Sequence, residues 1–447
     1  MSPGLSLEFP PSIDGEPHDD DHDGDQRAPQ PPTREEPHGG SCYPGPPRAI
    51  MAPEMTLTDP SRLLSRLRTM PGCEWVLGAI AEGAEEVYLV GGAVRDLWLG
   101  GAPVDFDLAV VGDVAGLAAR LRASGAPADA HAHARFGTAT VCGPGGGRCD
   151  LAATRKEAYA APGALPEVTP AGIQEDLGRR DFTINALALG LGGPRRGELL
   201  SVDRGLDDLA ATRLRVLHDA SFRDDPTRLL RLARYAGRLS FTIEPETERL
   251  ARAAVAGGAL RTVSGPRIGA ELQLLGAEGD PLSAFAGLRA PGFGLGAPEA
   301  GVARRALALL PDDGDPVVLM LGLAARGVGD SQTVRRLFAH LGLAAGRRDG
   351  AVAVTNADAL VARLAGARRP SQVDAAIGGA PVEAVAAAVV LSGQMPLARE
   401  WLTAGRLTSI AVTGDDLLAA GIPAGPRIGV GLRAARAARL DGRAVDR

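Results

Sequence analysis

The chain has 447 residues, of which 45% are hydrophobic and only 4% aromatic, with a formal net charge of −6. That length exceeds one ordinary core and predicts two or three domains built on Leu, Val and Ala, a composition that favours helix. No apolar run reaches the roughly 18 residues of a membrane span, no basic-then-apolar leader opens the chain, and the four cysteines lack metal-ligand spacing; a reduced, cytoplasmic protein without a membrane partner is expected.

Residues 1–55 hold 11 acids and 3 bases, so the remaining chain carries a net +2. This Pro-, Gly- and Asp-rich stretch cannot bury enough apolar surface to order itself, and disorder is predicted, with His18 and His22 read as solvated. Met51 and Met55 stand just before the first patterned segment, and either is a possible start. Arginine supplies 47 of the 48 cationic side chains, an excess that GC-rich coding explains as well as phosphate binding does. A helix is predicted over 60–82, then a buried strand over 87–90 that runs into Gly91-Gly92. A second helix follows over 93–99, and a strand over 104–111. Residues 137–141 and 148–152 read as a hairpin around 143–147. From about residue 206 the pattern is mostly helical, with breaks near Gly257-Gly258, 291–296, Gly346 and after Gly414.

The chemistry concentrates in Gly91-Gly92-Ala93-Val94-Arg95-Asp96 and Asp105-Phe106-Asp107. Side chains alternate across a strand, so Asp105 and Asp107 leave one face together. Paired carboxylates repel unless a cation lies between them, and Mg²⁺ shares its oxygen shell readily with phosphates. Two such ions would activate an attacking hydroxyl and stabilise a leaving pyrophosphate. The Gly-Gly turn would let backbone N–H groups approach phosphate. An Asp-x-Asp strand alone is more often a solvated edge, and a Gly-Gly alone a plain turn; the combination carries the information.

These segments resemble the head domain of the class II CCA-adding enzyme and bacterial poly(A) polymerase family. Three further stretches are similar to that family in order: Asp150-Leu151-Ala152-Ala153-Thr154-Arg155-Lys156-Glu157-Ala158-Tyr159, Arg179-Arg180-Asp181-Phe182-Thr183-Ile184-Asn185-Ala186, and Asp224-Asp225-Pro226-Thr227-Arg228-Leu229-Leu230-Arg231. The resemblance covers 62–280 strongly and 400–442 more weakly. It implies an α+β fold: a nucleotidyltransferase-type mixed-sheet head over 56–200, followed by an all-α neck over 201–275 and a body and tail over 276–447. It further implies a template-independent enzyme adding CCA, or part of it, to tRNA 3′ ends from CTP and ATP with two Mg²⁺ ions. Asp105 and Asp107 would hold metal, with Asp150 as third carboxylate or as a plain structural hydrogen-bonding group. Gly91, Gly92 and Arg95 would contact the triphosphate, and Arg180 and Asp181 the ribose. Asn185, Arg231 and Arg234 complete the nucleotide set, and Asp225 with Arg228 would read the base. Asp96 is read as a helix-stabilising charge in preference to an arginine partner.

Arg228, Arg231, Arg234 and Arg238 recur at helical spacing, and residues 226–275 carry a net +4, so these helices are expected to meet RNA phosphate. Without the resemblance such a stripe is a solvated face. The low aromatic content suits a double-helical acceptor stem better than a stacking platform. His131 and His133 lack further ligands nearby and are read as surface residues. Poly(A) synthesis, A-only addition and CC-only addition are the alternative reactions. A non-catalytic RNA-binding relative and a dinucleotide-binding oxidoreductase are the alternatives of other classes, the latter lacking its third glycine.

Overall fold

Val87, Leu89 and Tyr88 are fully buried although they point alternately to opposite faces, which places their strand inside a sheet covered on both sides. The computed structural model describes residues 62–444 apart from 71, 104, 125–130, 134–136, 144–147, 287–294 and 394, all within one unit spanning Cys42–Arg447. The expectations for residues 1–55, for the tip of the 143–147 turn and for 291–294 lie outside the described residues, as do the side chains of His131 and His133.

The head is a seven-stranded mixed sheet. Its strands are β1 (Glu86–Val90), β2 (Asp105–Val111), β3 (His131–His133), β4 (Thr138–Cys142), β5 (Arg148–Ala153), β8 (Leu187–Gly190) and β9 (Leu199–Ser201), in the order β3-β4-β5-β2-β1-β8-β9. Strands β6 (Arg155–Ala158) and β7 (Glu167–Pro170) form a separate two-stranded hairpin. Among the described residues only β2 and β5 pair in parallel within the large sheet. Helices α1 (Leu63–Arg68), α2 (Cys73–Ala81), α3 (Gly92–Trp98) and α4 (Val114–Ala123) share one core with Val87, Leu89, Phe106, Leu108, Val110 and Leu151. Across the sheet, α5 (Ile173–Gly178) covers only a small patch of Tyr88, Val90, Ala109 and Ala188 through Ile173 and Leu177. That uneven cover matters. It leaves the Asp105 end of β2 open on the face that carries its acids.

The predicted helix over 60–82 is two helices, because α1 ends at Arg68 and Gly72, which opens α2, adopts φ 81°, a conformation outside a right-handed run. The hairpin over 137–153 is present as antiparallel β4 and β5. The stretch after Phe182 holds a short 3₁₀ turn over Thr183–Asn185 and then β8, an element too short for periodicity to declare.

Beyond the sheet the chain is helical through α6 (Gly205–Ala210), α7 (Ser221–Asp224), α8 (Arg228–Leu239), α9 (Pro245–Ala256), α10 (Gly265–Gly276), α11 (Pro281–Ala286) and the helices that follow. Thr242–Ile243 pairs in parallel with Arg213–Leu214 as the one strand contact described in this region. The break expected at Gly346 falls earlier, at Leu341–Ala344, and Gly346 lies in the first turn of Ala345–Thr355. Residues 414 onward, expected as a break, form two helices, Gly414–Ala419 and Pro426–Leu440. The last of these buries no residue and is pinned by polar contacts: Arg436 Nε donates to Asp374 at 3.0 Å, and Ser371 N–H to Asp441 at 3.0 Å. Among the described residues no single helix is long and apolar enough to cross a membrane.

Candidate active site

Asp105 and Asp107 leave β2 on the open face while Phe106 is buried on the other. The parallel register sets Asp150 opposite Asp107 and Arg148 opposite Asp105. Asp150 is already engaged: its Oδ1 accepts from Thr140 Oγ1 at 2.6 Å and from Arg148 Nε at 3.2 Å, and its Oδ2 lies 2.9 Å from Arg148 Nη2. These bonds fix the Asp150 carboxylate beside Asp107, and both the third-carboxylate and the structural reading of Asp150 are compatible with them. A cleft of about 310 Å³ opens here, lined by Val90, Asp107, Thr140, Asp150, Arg179 and Arg180. A larger cavity of about 430 Å³ near Arg305, Val390, Met395 and Arg399 contains no acid, so the carboxylate chemistry belongs to the smaller one.

Asp107 is solvent-accessible where it lines this cleft, yet the surrounding protein still shifts its charge equilibrium. Burial, then Asp150, then Asp105 push its carboxyl up to about 6, with Arg180 and Arg148 opposing. Asp105 is raised as well, by burial first and by Asp150, against the pull of Arg148. Two acids that the local field leaves under-neutralised fit a divalent cation. Among the described residues no three His, Cys, Asp or Glu converge as a complete metal site. Asp105 and Asp107 would thus supply part of a shell that substrate oxygens and water complete, as Mg²⁺ prefers.

The Gly91-Gly92 turn joins β1 to α3. Gly91 adopts φ 71°, and a Cβ there would stand 3.0 Å from Arg180 Nη1. Only glycine both takes this conformation and lets the guanidinium pass. Arg180 lines the cleft and donates to Asp176 at 2.9 Å, while Arg179 Nη2 donates to the same carboxylate at 2.8 Å. Burial alone would raise Asp176; Arg180 and Arg179 outweigh it and hold the group below the usual carboxylate range. Asp176 was not anticipated. It stands three and four residues before the two arginines, the spacing of a helical ion pair, and that signal was readable.

Several expected nucleotide contacts meet one another. Arg95 is 1% exposed; its Nη1 donates to Asn185 at 2.6 Å and its Nη2 lies 2.7 Å from Asp96. Asn185 Nδ2 donates to Asp181 at 3.1 Å, and Asp181 takes Arg231 Nη2 at 2.6 Å. Arg231 reaches Glu271 at 3.2 Å, Glu271 lies 3.8 Å from Arg234, and Arg234 lies 3.6 Å from Glu278. Arg238 closes the circuit, 3.9 Å from Glu278 and 3.5 Å from Asp96. The result is a ring of four arginines, four acids and one amide around Tyr235, whose face lies 5.0 Å from Arg234 and 5.6 Å from both Arg95 and Arg231. Asp96 is therefore an arginine partner rather than a helix-stabilising charge; it sits in the second half of α3, where the helix dipole disfavours an acid.

The ring also changes the reading of the cationic stripe. Arg231, Arg234 and Arg238 are matched by acids, Arg249 and Arg252 pair with Glu246 and Glu248, and Arg267 pairs with Asp225. The excess of +4 over 226–275 already counts the acids within that window, and four acids outside it, Asp96, Asp181, Asp225 and Glu278, meet its arginines, which leaves little of it for phosphate.

Asp225 and Arg228 flank the start of α8. Asp225 Oδ1 accepts from Thr227 N–H at 3.1 Å and Thr227 Oγ1 at 2.7 Å. Arg228 is 5% exposed; Nη2 donates to the Arg179 carbonyl at 2.7 Å, whereas Nη1 is buried without a partner. An orphaned buried guanidinium nitrogen is costly, and a ligand acceptor would relieve it. Through Arg179 this pair adjoins the carboxylate cleft.

Residues 87–215 match the Poly A polymerase head domain family. The chain is 43% identical over 220 residues to an A-adding tRNA nucleotidyltransferase of Geobacter sulfurreducens, covering 49% of this chain and 25% of that protein. It is 45% identical over 197 residues to a CC-adding tRNA nucleotidyltransferase of Deinococcus radiodurans, covering 44% and 51%. The chain thus spans from a quarter to about half the length of these curated relatives. A solved structure of a CCA-adding enzyme with ATP superposes with a TM-score of 0.68 at 28% identity, covering 87% of this chain and 96% of that one.

Proposed function

We propose that this chain, whose residues 87–215 belong to the Poly A polymerase head domain family, transfers nucleotides from CTP and ATP to the 3′ end of tRNA and builds CCA or part of it. The observation that carries the reading is the pair of under-neutralised acids, Asp105 and Asp107, on the open sheet face beside Arg180. Asp105 and Asp107 would hold Mg²⁺, which when bound supplies charge stabilisation to the phosphoryl oxygens. Arg180, fixed by Asp176, offers its guanidinium to the triphosphate or ribose beside the Gly91 turn. Asp225 would accept from an exocyclic amino group, and the unpartnered Arg228 Nη1 would donate to the neighbouring ring nitrogen, a combination that both cytosine and adenine satisfy. Arg95, Asp181, Asn185, Arg231 and Arg234 act behind the nucleotide, holding α3 and α8 in register. Such a reaction on tRNA places the protein in the cytoplasm.

A second reading, half of a split pathway, is favoured by the relatives above 40% identity, which are named for A addition or CC addition. One assay separates them. Residues 55–447 would be given Mg²⁺ and tRNA transcripts ending at the discriminator base, at C or at CC, with CTP, ATP or both, beside an unstructured RNA. Extension to CCA on tRNA alone is the expected result. Only A onto CC, or only CC, identifies the split role, long adenylate tracts on any RNA identify poly(A) synthesis, and no incorporation removes the proposal.

A further inference from the structure

We propose that Arg267, on α10, is the positioning residue that sets which base edge Asp225 accepts; this rests on the templating reading of Asp225 and Arg228 above. Arg267 Nη2 donates to Asp225 Oδ1 at 2.9 Å, the same oxygen that takes both Thr227 donors. No described residue reaches Oδ2. One oxygen of the carboxylate is anchored three times over, and the other is left free as an acceptor. Arg267 is itself fixed by its second arm, as Nη1 donates to the Gly163 carbonyl at 2.8 Å.

Gly163 lies in the turn between β6 and β7. Its N–H donates to the Arg223 carbonyl at 3.2 Å, its φ is +70°, and a Cβ there would stand 2.8 Å from the Thr262 carbonyl oxygen. The hairpin is therefore clamped between α7 and the 3₁₀ turn at Ala259–Thr262. Its turn holds Arg267, and Arg267 holds Asp225. A turn just beyond the motif that ends at Tyr159 reaches the base-reading group through one arginine.

The chemistry follows from donor and acceptor polarity. A carboxylate oxygen attracts the amino group of cytosine or adenine and repels the carbonyl of uracil or guanine at the same position. That discrimination lasts only while the carboxylate plane is fixed. Thr227, two residues on, supplies two neutral donors, its N–H and its hydroxyl, which restrain one oxygen but leave the plane free to tilt. The guanidinium adds a charge-assisted bond from a different helix, and this closes the remaining freedom.

The test uses the full chain with Mg²⁺. Equilibrium binding of CTP, ATP, UTP and GTP is measured beside their incorporation on tRNA, for the wild type, Arg267→Met, Arg267→Lys and Gly163→Ala, with Tm recorded for each. Arg267→Met is expected to lower the preference for CTP and ATP over UTP and GTP about tenfold, the order expected for one charge-assisted hydrogen bond. The change should lie in KM and Kd more than in kcat. Arg267→Lys keeps the charge and should recover part of the preference. Gly163→Ala displaces the anchor without touching Asp225 and should shift the ratio the same way. It also decides the matter if Arg267→Met does not fold. An unchanged ratio in folded Arg267→Met overturns the proposal, as does an equal loss across all four nucleotides. A wild type that incorporates nothing but binds selectively, with selectivity erased in Arg267→Met, removes the transfer reading and keeps Arg267 in its role. A wild type that binds all four alike removes the templating reading and this proposal with it.

Discussion

At Asp107, burial and the carboxylates of Asp150 and Asp105 act together against the charged form, and no described hydrogen-bond donor compensates them. Such a residue costs the fold something, and its use lies in what it can hold. Asp107→Ala is expected to lower kcat/KM by about a thousandfold or more, the upper range for losing one electrostatic stabiliser. Its Tm without metal should equal or exceed that of the wild type, because a repelled charge is gone. A clear fall in Tm would instead make Asp107 a structural residue. Asp181 behaves in the opposite sense. Burial would raise it, but Arg231, Asn185 and the Phe182 N–H together hold it below the usual carboxylate range. Its contribution is therefore fully present above the unfolded value near 3.8 and is lost as pH falls through the depressed folded value. Asp181→Asn should cost about 3 kcal/mol at pH 7, the lower end for breaking a buried pair, since Glu271 still faces Arg231. Its Tm should also fall less steeply on acidification below about pH 4 than that of the wild type. Parallel acid limbs in the two proteins would contradict the linkage.

The elements show which parts of this arrangement local pattern can reveal. Asp105 and Asp107 were legible because a strand's period of two is short and survives in any context. The Gly91 turn was legible because its first glycine takes a positive φ that other residues rarely adopt. The fate of the arginine stripe on α8 was not, since Arg231 finds Asp181 at a separation of 50 residues and Arg238 finds Asp96 at 142. Periodicity places those arginines on one arc but is silent about what covers it. Arg95, Asn185 and Arg234 were assigned to nucleotide by resemblance, and their immediate partners are one another's neighbours in the ring. Helix packing gives a sharper test. In α8, a Cβ on Gly237 would stand 2.6 Å from the backbone of Ser283 and Ala284 in α11. Helix propensity favours Gly→Ala by up to about 1 kcal/mol. Here the rigid backbone contact wins, and Gly237→Ala should destabilise the chain by about 1–3 kcal/mol in denaturant melts. A gain in stability would mean that α11 yields more readily than its backbone contact implies.

Across the whole molecule, the division into a mixed-sheet head and a helical remainder was legible from the change in pattern near residue 206. The hairpin of β6 and β7 was not. β6 alternates half-buried and exposed residues and β7 is exposed throughout, with Val168 51% exposed and Leu165 in the turn 75% exposed, so no apolar rhythm announces them. The final helix, Pro426–Leu440, was not legible either: it falls where the pattern reads as a break, and none of its residues is fully buried, so no strong apolar stripe marks it. Attachment by a few polar pins gives it a ledger of its own. Opening it exposes only half-buried apolar residues such as Ile428 and Leu432, so the free energy of local opening should depend strongly on the contacts of Arg436 with Asp374 and Gly405 and of Ser371 with Asp441, and fall well below that of global unfolding. Its amides should exchange with deuterium orders of magnitude sooner than those of the buried helix Val382–Ser392, and the rate should rise with salt as the ion pair is screened. Such exchange would mean that this helix opens and re-docks on its own clock while the sheet and its acids stay in place.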